Sequence, residues 1–194
     1  MMAQPKQHYS VEEYLRIERG GATKHEYHHG EIYALAGSSA THNLIQVNLL
    51  ISLGSQLRRR PCTVYPSDMR LRIPRSPIYV YPDVSIVCGQ AEFEDAEMDI
   101  LLNPTVIIEI LSDSTERYDR GKKFQLYRSI PSLQEYILVA QDEVHLDRFV
   151  RQPDGNWLLI SYEAIGDLVH LDAIDCNLAL EDVYDKVALD NPAA

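Results

Sequence analysis

The chain is poor in the features that mark several common classes. Its 194 residues hold three cysteines, Cys62, Cys88 and Cys176, and no C-x-x-C pair. An odd count without paired spacing argues against a disulfide framework and against a structural zinc site. No apolar run approaches the ~18 residues of a membrane-spanning helix, so no membrane partner is expected. The opening MMAQPKQHYS lacks the apolar centre of a secretion signal, and the expectation is a cytoplasmic protein. There is no Walker loop, no G-x-G-x-x-G and no G-x-S-x-G, which removes the common nucleotide and serine-hydrolase readings. Basic residues are scarce as well: 18 Lys and Arg stand against 29 Asp and Glu, a net charge of −11. Over the whole chain this discourages a nucleic-acid partner, because DNA is held largely through its phosphates.

What is present is the composition of a globular domain, with 45% hydrophobic and 24% charged residues. No internal repeat or low-complexity linker divides it, so residues 1–194 read as one domain. The bases are unevenly placed. Residues 57–75 hold Arg58, Arg59, Arg60, Arg70, Arg72 and Arg75 against Asp68 alone. Residues 117–128 hold Arg117, Arg120, Lys122, Lys123 and Arg128 against Asp119 alone. Such segregation can build a basic face on an acidic protein. The plainer alternative is a set of solvated helix and strand faces.

Ser10 and Glu13 form a capping box for a short helix reaching about Arg19. His28-His29 beside Gly30 reads as a solvated turn, followed by a strand over 31–36. Gly37-Ser38-Ser39 can cap a helix over 40–58. On that helix Leu49, Leu53 and Leu57 share a stripe with His42 and Gln46, while Leu44, Val47 and Ile51 lie opposite. A helix apolar on two sides is sandwiched in the fold or lies at a subunit interface. Residues 69–73 alternate as a half-exposed strand. A second strand spans 78–88 with Pro82-Asp83 within it, and 90–99 form an acidic loop. Residues 106–111 are apolar on both faces, as in a central strand. A helix over 116–130 and a strand over 134–139 follow. A hairpin over 144–150 and 157–162, a short strand over 169–171 and a helix over 178–186 close the chain. This order is α/β or α+β with a mixed sheet.

Glu109 is the strongest chemical signal, since it interrupts Val-Ile-Ile-Glu-Ile-Leu where either face should be buried. A buried carboxylate must be neutralised by a metal, a base or a proton; a structural core ion pair is the bland alternative. Asp83 follows Pro82, which cannot donate to a ladder and favours a strand start or bulge. If the strands holding Asp83 and Glu109 are neighbours, both carboxylates reach one divalent cation of the magnesium type. At about 100° per residue, Lys123 sits in the middle of the apolar face of the helix, among Phe124, Leu126, Tyr127 and Ile130. Lys122 sits at the edge of that face. A lysine so placed needs a partner, unless it snorkels, and Glu109 is the natural one. Asp119, one turn earlier, can orient it. His42, Gln46 and Glu31 are supporting candidates, each with a structural role as the simpler reading.

Two carboxylates on adjacent strands plus a lysine resemble the PD-(D/E)XK nuclease core. Pro82-Asp83 matches the PD, and Glu109-Ile110-Leu111 matches E-x-K except that Leu111 replaces the lysine. The chain is more specifically similar to the large bacterial family known as "putative restriction endonucleases". The matching stretches are Glu31 in His29-Gly30-Glu31, His42 to Ile45, Pro82-Asp83-Val84, Val106 to Ser114, Asp119 to Tyr127, and Glu135-Tyr136. The resemblance covers residues 10 to 185. It implies a restriction-endonuclease-like core over about residues 38–140, with N-terminal helix and strands and a C-terminal β-hairpin. It places the displaced lysine at Lys123 and adds Glu31 and His42 to a site of Asp83, Glu109 and Lys123. It also implies Mg²⁺ or Mn²⁺ on Asp83 and Glu109, a DNA substrate and hydrolysis of phosphodiester bonds. The two-sided helix 40–58 adds the expectation of a homodimer. Two other readings stay open here: a nuclease-derived DNA-binding or regulatory protein with little activity, and a structural, homodimeric interaction module.

Overall fold

The computed structural model describes residues 7–112 and 115–189, so Asp113 and Ser114 of the matched stretch lie outside the described residues. A six-stranded mixed sheet forms the centre, in the order β11-β10-β9-β8-β6-β3. Its strands are β3 (Cys62–Pro66), β6 (Val84–Cys88), β8 (Val106–Ile110), β9 (Glu135–Val139), β10 (Leu146–Arg151) and β11 (Trp157–Tyr162). Only β8 and β9 run parallel within it. A parallel pair needs a crossover, and the helical segment after β8 provides it. The long helix α2 (Ala40–Leu57) covers one face with Ile45, Leu49, Leu53 and Leu57. Beside it sit the hairpin β12 (Leu168–Leu171) and β13 (Cys176–Ala179) and the short helix α5 (Leu180–Val183).

A second, five-stranded sheet packs on the other face through Leu71, Ile73, Ile78, Val80 and Leu101. Its order is β2-β1-β5-β4-β7: β2 (Glu31–Ala34), β1 (His25–His28), β5 (Ile78–Val80), β4 (Arg70–Arg72) and β7 (Ile100–Leu101). Helix α1 (Val11–Gly20) lies against it, with Tyr14 among Tyr27, Tyr79 and Ile100. The Ser10–Glu13 capping box is present, both reciprocal bonds made. This is an α+β fold with mixed sheets, as expected, but several boundaries differ.

The strand expected over 78–88 is two strands in two different sheets. Pro82 has no N–H to give a ladder, and the chain changes sheets at Tyr81-Pro82-Asp83. The expected strand over 31–36 is one arm of a hairpin whose other arm, β1, has the polar sequence His-Glu-Tyr-His. His28 is therefore a ladder residue and not a solvated turn; the turn is His29-Gly30, with φ of 50° and 95°. A side chain at Gly30 would also strike the His8 ring, 1.9 Å from a built Cβ. The helix over 116–130 is composite: α3 (Glu116–Tyr118), a π-helical turn (Asp119–Lys123) and α4 (Phe124–Tyr127). The expected helix over 178–186 is shortened to α5 (Leu180–Val183): β13 takes residues 178 and 179, and a turn follows Val183.

The cysteine expectation is corrected. Cys62 and Cys88 face each other across antiparallel β3 and β6 and are joined as a disulfide, leaving Cys176 free and buried. The pairing follows from strand register, which a separation of 26 residues does not reveal. Among the described residues no helix is long and apolar enough to cross a membrane.

Candidate active site

A cleft of about 400 Å³ opens where the chain passes from one sheet to the other. Its walls include Glu26, His42, Asp83, Glu109, Asp119 and Lys123. Asp83 comes from the sheet switch. Its Oδ2 accepts the Ile110 N–H at 2.8 Å and lies 3.1 Å from His42 Nε2. Gln46, one turn along α2 from His42, donates its amide to the Asp83 carbonyl at 2.8 Å. His42 and Gln46 thus fix Asp83 by side chain and backbone. Asp83 Oδ1 makes no hydrogen bond among the described residues. The His42 Nδ1 is buried without a partner among the described residues.

Successive side chains of a strand alternate faces. Val106, Ile108 and Ile110 turn to α2, and Ile107 and Leu111 to the other core. Glu109 shares the second face and is only 3% exposed. Its Oε1 receives the Lys123 ammonium at 2.8 Å and the Tyr127 hydroxyl at 2.7 Å. Its Oε2 lies 3.4 Å from the Asp83 backbone nitrogen. Burial pushes the Glu109 carboxyl up to about 8; Lys123 opposes the rise, and the charges of Asp83 and Asp119 add to it.

Lys123 reaches the cleft from the π turn, in which the Phe124 N–H bonds back to the Asp119 carbonyl. Turns of this type are frequent at functional sites. The Lys123 side chain is 8% exposed, whereas Lys122 points to solvent. Besides Glu109, its ammonium lies 3.5 Å from Asp119 and 3.8 Å from Glu26. Burial works against the charged form, but these carboxylates outweigh it and hold its pKa well above the ordinary lysine value. Leu111, in the place of the strand lysine, is 4% exposed and packed in the second core.

Of the residues singled out in sequence, the structure brings together Asp83, Glu109, Lys123, His42, Gln46 and Asp119. Glu31 is elsewhere: it stands opposite His28 on β2, receives the Tyr33 hydroxyl and does not line the cleft. Glu26 is the acid that sequence reasoning missed. It is buried on β1, and the pull of His28 and Lys123 outweighs burial to hold its carboxyl below the usual range. The absence of H-E-x-x-H expected from sequence is corrected: His25-Glu26-Tyr27-His28-His29 spells it, a signal that marks Glu26 by position. Here it lies on a strand and its turn, not on a helix as a zinc protease requires, and His25 is bound to Glu18.

The two basic windows do not form one free face. Arg60 binds the carbonyls of Ile174 and Asp175, Arg70 binds Tyr81, Arg72 pairs with Glu94, and Arg120 pairs with Glu116 and Asp147. Arg58, Arg59, Arg75, Arg117, Lys122 and Arg128 remain outward.

Among the described residues no three His, Cys, Asp or Glu side chains converge as metal ligands. Asp83 Oδ1 and Glu109 Oε2 are lightly engaged carboxylate oxygens at the cleft. One or two carboxylates completed by water and phosphate oxygens is how magnesium is usually held. The donor set fits such an ion and not a closed zinc cage.

The family profile described as "Uma2: Putative restriction endonuclease" matches residues 11–181. The chain is 37% identical over 179 residues to the uncharacterised protein slr1290 of Synechocystis sp., covering 92% of this chain and 93% of that one. It is 39% identical over 147 residues to a second uncharacterised Synechocystis protein, sll1609, covering 76% and 83%. A crystal structure of "a putative nuclease belonging to DUF820" from Anabaena variabilis superposes with a TM-score of 0.73 over 93% of this chain and 99% of that one, at 18% identity. That likeness shows the fold.

Proposed function

The chain belongs to the "Putative restriction endonuclease" family, and from that premise we propose that it is a metal-dependent endonuclease hydrolysing DNA phosphodiester bonds with a PD-(D/E)XK-like site. The observation that carries the reading is the meeting of Asp83, Glu109 and Lys123 in one cleft from three separate elements. Asp83 and Glu109 would hold Mg²⁺ or Mn²⁺. When bound, such an ion polarises the scissile phosphate and lowers the pKa of water.

The protein's own part is preorganisation. His42 and the Ile110 N–H hold Oδ2 of Asp83 and leave Oδ1 open to the cleft. The Tyr127 hydroxyl fixes Oε1 of Glu109. Lys123 offers a fixed positive charge where negative charge grows on the phosphate oxygens, an interaction strengthened by its dry surroundings. Of the outward bases, Arg117 and Lys122 lie on the same helical segment as Asp119 and Lys123 and would contact phosphates without reading sequence. We place its work in the cytoplasm, where the Cys62–Cys88 disulfide would be an exception to the usual thiol state. Leu44, Val47 and Ile51 are 38%, 48% and 62% exposed along α2. They form an apolar stripe that a second copy of the chain would cover, and two-fold pairing suits cleavage of both strands of a duplex.

The test is plasmid cleavage with Mn²⁺ or Mg²⁺, with chelator as control, beside Mn²⁺ calorimetry. Wild type should cleave and bind the ion; Asp83→Asn and Glu109→Gln should lose both. Metal-independent cleavage, or none with metal and DNA together, refutes the reading. In the latter case, retained DNA binding would favour the little-active DNA-binding protein, for which Leu111 in the strand-lysine position is the supporting observation.

A further inference from the structure

The Lys123 ammonium has more anionic neighbours than its pairing with Glu109 requires. Asp119 stands on its own helix one turn away, at 3.5 Å. Glu26 reaches it from the other sheet, at 3.8 Å. Glu26 is itself held: its second oxygen lies 3.2 Å from His28 Nε2, and that nitrogen lies 3.3 Å from the Tyr118 hydroxyl. Glu26 and Tyr118 both line the cleft. A lysine–carboxylate contact, a histidine and a tyrosine thus form one chain from β1 to α3. A carboxylate 7% exposed is costly to bury, and its placement beside an ammonium needs a reason.

The proposed activity supplies one. If Glu109 shares its charge with a metal ion, Lys123 loses its nearest partner. Asp119 then holds the ammonium from its own helix alone, and Glu26 supplies the contact that fixes it from the opposite wall of the cleft. We propose that Glu26, set by His28 and Tyr118, is the positioning residue of Lys123, holding its ammonium at a fixed place in the cleft while Glu109 is engaged elsewhere. This rests on the nuclease reading for its purpose, but not for the contact itself. Glu26 reacts with nothing; it acts through the lysine.

Two measurements on the full chain test it. The first is single-turnover plasmid cleavage at saturating DNA with Mn²⁺. Glu26→Gln, which keeps the shape but removes the charge, should slow the step about tenfold or more, approaching the ~10²–10³ of a direct contact. DNA affinity and Mn²⁺ affinity should stay within about twofold of wild type, since neither is placed on Glu26. Glu26→Asp, which keeps the charge, should fall between wild type and Glu26→Gln. The second is the ammonium resonance of Lys123 in lysine-labelled, metal-free protein, assigned by its loss in Lys123→Met. Glu26→Gln should shift this signal and speed its hydrogen exchange. An unmoved resonance overturns the proposal, as does a Glu26→Gln rate equal to wild type, or a Glu26→Asp rate no better than Glu26→Gln. Should wild type fail to cleave DNA, the nuclease reading falls, and the resonance still decides whether Glu26 anchors the lysine.

Discussion

Lys122 and Lys123 are adjacent and chemically identical, so substituting them in turn tests the site with composition held constant. Lys123→Met keeps most of the buried stem and removes the charge. The ammonium lies 2.8 Å from Glu109; at an effective dielectric of about 20 the gross attraction is about 6 kcal/mol before desolvation is counted. Breaking a buried pair usually costs about 3–5 kcal/mol, because the orphaned charge stays behind. Here the orphan can be neutralised. Glu109 is already raised to about 8 by burial against the pull of Lys123, so it is mostly protonated at pH 7 before the substitution, and without that pull it rises further. The stability loss should therefore be only about 1–2 kcal/mol at neutral pH. The sign follows from proton linkage. A carboxyl whose folded pKa is raised binds more protons folded than unfolded, so stability falls as pH climbs from the unfolded value towards the folded one. The deficit of Lys123→Met against wild type should thus widen as pH rises through 8. At neutral pH the variant stays folded, and single-turnover cleavage should drop by about 10² or more, as for a lost preorganised contact. Lys122 is exposed. Lys122→Ala should leave turnover within about threefold and lower the salt slope of DNA binding by about one phosphate contact. Equal losses of turnover for the two variants, or a larger loss at Lys122, would refute the assignment of Lys123.

Two further outcomes follow from other parts of the molecule. Light scattering at micromolar concentration should give twice the chain mass of 22.1 kDa, and Ile51→Asp, a charge at the most exposed point of the α2 stripe, should give the monomer with unchanged circular dichroism; wild type at the single-chain mass would count against the dimer. Arg19 binds Asp99 through two nitrogens and Asp95 through one, and its hydrogen bond holds the Asp99 carboxyl below the usual range. Since a lowered folded pKa gives stability above the unfolded value that fades as pH falls through the folded one, Arg19→Ala should cost under about 1 kcal/mol at pH 7 for so exposed a cluster. Melting curves of the two proteins should converge as pH falls below the ordinary aspartate range, and a constant gap would refute the electrostatic account.

The legible part of the site was the part tied to a strong local pattern. Glu109 breaks an apolar run, and Pro82 must interrupt a ladder wherever it falls, so both carboxylates could be read directly. Lys123 could be read because the π turn leaves it on the same face as Tyr127 and Ile130, all buried. Glu26 could not. Strand β1 is four residues long and three of them are polar, so it shows no alternation, and its partners are the hairpin arm β2 and the distant β5. The Cys62–Cys88 pairing and the two-residue strand β7 likewise depend on long-range register. The basic windows were legible as charge but not as surface. A run of arginines does not reveal that Arg60 ends on backbone carbonyls or that Arg70 lies under Tyr14 and Tyr81.

The proposed displacement of the lysine from strand to helix also has a physical account. Position 111 lies two residues beyond Glu109, on the same face of the strand, where the apolar core of the second face has closed over it. A lysine there would have to thread its ammonium past Ile130 and Tyr127 or unpack them. The crossover helix already passes above that face, since the parallel pairing of β8 and β9 requires a connection there. Placing the lysine on the helix lets Leu111 stay in the core and delivers the ammonium from above, within 2.8 Å of Glu109. The π turn is the local cost, as it widens the helix over five residues so that Asp119 and Lys123 both face the cleft. On this account strand and helix lysines are alternative routes for one charge to the same carboxylate, so Leu111 supports the little-active reading only where the turnover test at Lys123 also fails.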